Sequence, residues 1–135
     1  MRGAPPEPGQ APAAEVELLL FQLEGARVGA DASQVLRIER PGVPGLRRSP
    51  LGSATPKRSL VFKAGEAEGV LAVDLVLGVR SVRARDLRRV PAAARIAGHA
   101  LGFWLDGDQP VLLIDLPLAL SAQAPEANPD PRKAT

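Results

Sequence analysis

The sequence predicts an all-β fold. Two observations carry that reading. Short apolar runs recur at roughly even spacing along residues 15–120, each bounded by turn residues. Glycine is frequent at the ends and bends of those runs, where small barrels need close backbone approach.

The elements follow in order. Val16 to Leu23 is an apolar run that ends at Glu24-Gly25, and Ala26 to Ala30 follows, so the two form a hairpin. Asp31-Ala32-Ser33-Gln34 has the residues to cap a single helical turn. Val35 to Arg40 alternates Leu36 and Ile38 with Arg37 and Glu39, a half-buried strand pattern. Residues 41–58 hold four Pro and three Gly with Arg47, Arg48, Lys57 and Arg58. A structureless stretch of that length is unusual inside a domain, and reads as a flexible shortened loop or the scar of a deletion.

Strands resume at Ser59 to Lys63, turn at Ala64-Gly65-Glu66, and continue through Val70–Val73 and Leu75–Val79. Arg80 to Arg85 places alternate charges outward. Asp86 is positioned to cap a short turn through Arg89, and Pro91 ends it. Ala100–Leu105 and Val111–Leu116 flank Asp106-Gly107-Asp108-Gln109, a second hairpin signal. Pro117 to Leu120 adds a helical turn. Residues 1–14 and 121–135 are Pro-rich and lack a periodic apolar face, so both read as disordered tails.

Composition excludes most chemistry. The 135 residues contain no Cys, no Tyr and one His. Disulfides, Cys-ligated metals and thiol catalysis are ruled out, and acid–base catalysis has few side chains to use. No catalytic, cofactor-binding or metal-binding set is expected. Asp106 and Asp108 lack the further oxygen ligands of a calcium loop and read as a turn. Gly65-Glu66-Ala67-Glu68-Gly69 is no phosphate loop, because it lacks the Lys and its Glu pair repels phosphate. His99 reads as an ordinary loop or strand residue.

The net charge of +2 conceals an uneven distribution. The Arg-rich middle, including Arg80, Arg83 and Arg85, sits between mildly acidic ends. These Arg suit an acidic protein surface, or solvation alone. An Arg-mediated nucleic-acid-binding barrel is the alternative, weakened because the four aromatics lie in apolar runs rather than among the Arg. Of Phe103 and Trp104, an alternating strand can turn only one inward. No apolar run reaches the length of a membrane span and the start lacks the apolar core of a signal peptide, so a cytoplasmic protein with no membrane insertion is expected.

In their order and spacing, Glu17–Asp31, Val35–Ile38, Val70–Asp74, Val79–Val82 and Leu101–Leu120 resemble the CheW-like domain of bacterial chemosensory adaptors. The likeness covers most of residues 16–120. It implies a pair of interlocked five-stranded, SH3-like β-barrels without enzymatic activity. It also implies two partners: the helical tip of a methyl-accepting chemoreceptor, and a CheA-type histidine kinase or a full-length CheW-like relative. On this resemblance Val35, Val76 and Val79 align with receptor-contact positions, and Leu36 and Ile38 flank the first.

The sequence departs from the family at one place. The usual Asn-Leu-Arg-Gly and Pro-Val-x-Asp-Leu strands have no counterpart between Arg40 and Leu60. One barrel is therefore expected to be incomplete, with open edges that are either blunted by the Pro and Arg of 41–58 or satisfied in a homodimer. A receptor-binding protein that couples weakly or not at all to the kinase is the resulting expectation.

Overall fold

The computed structural model describes residues 14–90 and 99–121. Ten strands run through them: β1 (Glu15–Leu23), β2 (Ala26–Asp31), β3 (Val35–Glu39), β4 (Arg47–Arg48), β5 (Arg58–Ala64), β6 (Ala67–Val73), β7 (Leu75–Arg83), β8 (Arg88–Arg89), β9 (Ala100–Asp106) and β10 (Gln109–Ile114). One helical turn, α1 (Leu116–Ala119), ends the described chain, with Asp115 accepting a bond from the Leu118 amide at 3.1 Å. The tail segments, but for Ala14 and Ser121, lie outside the described residues, as do Pro91 and Arg95.

The strands form two sheets. The first has the order β7-β1-β2-β10-β9-β8 and the second β3-β5-β6-β4. The all-β expectation holds, with one body of the pair short of strands.

β1 holds the two bodies together. Its run Leu18-Leu19-Leu20-Phe21 is buried at every position, so both faces of the strand are covered. Leu19 and Phe21 enter a core shared by both sheets, with Val28, Leu60, Phe62, Leu71, Val73 and Ile114. Leu18 and Leu20 enter a second core with Val82, Trp104, Val111 and Leu113, all from the first sheet. An unbroken apolar run is what a strand between two cores requires. Burying a side chain such as Phe21 contributes roughly 2–3 kcal/mol.

Local turn chemistry sets the hairpins. At the β1–β2 turn both Glu24 (φ 51°) and Gly25 (φ 85°) are left-handed, the pair of conformations that a two-residue type I′ hairpin needs. Gly25 takes it without strain, while Glu24 is held by its amide donating to Asp74 Oδ2 at 2.7 Å. The β9–β10 turn is two residues long, Gly107-Asp108, so Asp106 is the last residue of its strand and not a turn residue.

Residues 41–58 are not structureless. They form a strap along the outer edge of β6: β4 pairs parallel with it, then Ser49 and Ser53 donate amide bonds to Val70 and Ala72 at 2.9 and 2.8 Å. Ser49 and Ser53 are buried. The proline count hid this because the strap bonds at intervals, through residues that keep their N–H. The turn expected at 86–89 also moves: a 3-10 turn spans Ala84–Asp86, with Arg83 rather than Asp86 before it, and Arg88–Arg89 pair with β9.

Candidate functional site

The residues singled out for partner docking lie on two edge strands. Among the described residues β3 pairs only with β5, and β7 only with β1. In register, Val35 stands opposite Phe62 and Ile38 opposite Leu60. Val76 stands opposite Phe21 and Val79 opposite Leu19. Cross-strand partners share a face. Both edges therefore present these side chains on the faces that build the shared core. Val35 and Val76 are half-buried against that core.

The others are more open. Leu36 is 45% exposed, Ile38 42% and Val79 56%. The half-buried reading of Leu36 and Ile38 is corrected here: both are exposed, although Ile38 lies on the core-side face of β3 opposite Leu60. A period of two identifies a face but not its cover, and a register shift between Val35 and Arg37 at an edge leaves both side chains wet. Leu75 and Leu77 are also exposed on β7, and the sequence reading did not single them out. These side chains are aliphatic and have no proton to exchange. What they offer is apolar area at the margin of a core. Among the described residues, cavities elsewhere include one of about 260 Å³ under the strap beside Ser59 and one of about 220 Å³ lined in part by Val16, Leu87 and Leu101.

The Arg series divides. Arg80 donates two bonds to Asp106, at 3.2 and 3.3 Å, and Arg27 adds a third at 3.0 Å. The Arg80 guanidinium also lies 5.5 Å from the Trp104 ring centre. Arg80 is thus held within the molecule, with Asp106 below the usual carboxylate range because of Arg80 first and Arg27 next. Arg83 and Arg85 are exposed. Trp104 turns inward at 8% exposure, and Phe103 outward at 39%. The His99 ring is pushed below its ordinary range by burial, and its Nδ1 is buried without a hydrogen-bond partner among the described residues.

Sequence reasoning missed a second acidic hub. Asp74 receives the Glu24 amide and the Ser53 hydroxyl, and its own amide donates to Gln22 O at 2.9 Å. Glu24 in turn accepts from the Ala54 amide at 2.9 Å. The strap is thereby tied to the β1–β2 turn. The one available signal was an acidic residue closing the apolar run Val70–Val73.

Two β bodies joined through a doubly buried strand, with apolar side chains on two edge strands beside the shared core, make a fold of the CheW-like kind. The fold is similar to the crystal structure of the scaffolding protein TtCheW from Thermoanaerobacter tengcongensis, with a TM-score of 0.64 at 14% identity over 78% of this chain and 88% of that one. No protein-family model matches. The chain is 43% identical over 102 residues to the frizzy aggregation protein FrzB of Myxococcus xanthus, covering 75% of this chain and 91% of FrzB. The chain belongs to the CheW-like family. The match takes in nearly all of FrzB, so that relative is itself a short chain.

Proposed function

We propose that this protein is a non-enzymatic adaptor that binds the helical cytoplasmic tip of a methyl-accepting chemoreceptor and couples weakly or not at all to a CheA-type kinase. One observation carries the reading: Val35, Ile38, Val76 and Val79 sit on two sheet edges facing one core, partly or largely uncovered, with Leu36 exposed beside them on β3. An amphipathic helix laid on such a margin buries its apolar stripe. Arg83 and Arg85, exposed beyond the end of β7's apolar part, supply complementary charge to acidic residues of the partner. The weak kinase coupling follows from the interval 41–58, which holds a strap where the family resemblance implies two further strands. The place of action is the cytoplasm, where a receptor tip is found.

A pull-down separates the two halves of the reading. A receptor signalling fragment retains the full chain, while the kinase's regulatory domain retains it weakly or not at all. A full-length CheW-like protein retained by both is the control. Absence of retention on the receptor fragment overturns the receptor assignment. Retention on the kinase equal to the control's overturns the uncoupled half.

A further inference from the structure

The second sheet has two edges, and the chain treats them differently. The outer edge of β6 is covered by the strap, through the β4 pairing and the amides of Ser49, Ser53 and Lys57. The outer edge of β3 has no strand on it among the described residues. It carries Leu36 and Ile38, both more than 40% exposed. An uncovered apolar edge is a template for another strand.

The side chains on that edge specify which strand fits. Arg37 and Glu39 lie on the face away from the shared core, Arg37 opposite Val61 and Glu39 opposite Ser59. Between them stands Ile38. Take an antiparallel neighbour of identical sequence, related by a two-fold axis through Ile38. Ile38 then faces its own copy, and Arg37 of each chain faces Glu39 of the other. Both charge pairs are satisfied at once, which is the self-complementarity that a two-fold interface demands. Within one chain Arg37 already bonds Glu39, and it reaches Glu68 at 3.2 Å, so all three groups stand on that face ready to exchange partners.

We propose that β3 pairs with β3 of a second copy, forming a two-fold homodimer in the Ile38-centred register. The paired segment is short, so the dimer is weak and forms with rising concentration. Leu36 and Ile38 would then be withdrawn from receptor docking. That consequence alone rests on the function proposed above; the pairing does not.

Sedimentation equilibrium of the full chain tests the pairing without any receptor. The wild type is expected to shift from one chain towards two over the micromolar to millimolar range. Arg37→Glu sets Glu against Glu39 of the partner, and Glu39→Arg sets Arg against its Arg37, so each single variant loses association by about tenfold. An equimolar mixture of the two single variants regains it, because every cross-strand pair is again opposite in sign. The double variant Arg37→Glu/Glu39→Arg regains it for the same reason. Circular dichroism checks that each variant keeps its strands, and the rescued arms show that a loss is not misfolding. A wild type that stays monomeric throughout overturns the proposal. So does a dimer indifferent to the single reversals, or one that neither the mixture nor the double variant restores.

Discussion

Asp106 shows how one residue sets the local electrostatics. It ends β9 with a carboxylate that accepts from Arg80 and Arg27. All three are partly solvated, which keeps the contribution small. Asp106→Asn is expected to lower stability by about 1 kcal/mol in urea titrations near neutral pH. The sign with pH is fixed by the lowered pKa: the contribution is present above the ordinary carboxylate range of about 4 and is lost as pH falls through the lower folded value. His99 acts at milder acidity. Its ring is held below the usual imidazole value of 6.5, so the unfolded chain binds the proton first and stability declines as pH drops below that value. Thermal unfolding followed from pH 8 to pH 5 should show that decline, flattened in His99→Gln. An undiminished slope in the variant assigns the effect to other groups.

At the scale of elements, the strap does the work of the absent strands. Ser49 donates to the Ala119 carbonyl at 2.7 Å and accepts from the Leu51 amide at 3.1 Å, so it joins strap to α1. Ser49→Ala leaves a buried carbonyl and an amide short of partners, and is expected to cost about 1–3 kcal/mol in chemical denaturation. A cost below half a kcal/mol would show that the strap is not fastened there. On the other sheet, a Cβ at Gly102 would lie 2.0 Å from the Arg88 carbonyl oxygen. Backbone cannot yield as a side chain can. Gly102→Ala should therefore detach β8 from β9, raising amide exchange at Arg88 and Arg89 with little change in β1 and β2.

Which elements could be read in advance follows from the range of the forces that form them. The hairpins at Glu24-Gly25, Gly65-Glu66 and Gly107-Asp108 are made by turn residues beside the strands they join, so they were legible. The strap was not, because its partners on β6 lie about twenty residues away and its prolines suggest disorder. Arg80 was read as outward and available for the same reason: Asp106 and Trp104, which hold it, are distant in sequence. The docking valines came through family likeness. Periodicity alone could not distinguish the exposed Leu36 and Ile38 from core, since only tertiary contacts decide which side of an edge strand is covered.

For the whole molecule, two cores share one strand. β1 carries Leu19 and Phe21 to one and Leu18 and Leu20 to the other, so the bodies are expected to unfold together. Against that frame the exposed apolar side chains on edge strands β3 and β7 are the surface on which the functional account depends. Isothermal titration of a receptor signalling-tip fragment into the full chain measures it directly. The wild type should bind. Ile38→Asp and Val79→Asp should each weaken binding by about tenfold or more, consistent with ~1–2 kcal/mol per apolar contact. Phe103→Asp, on the outward face of β9, should bind as the wild type does. Equal affinity for all four proteins, or a loss confined to Phe103→Asp, would contradict the account.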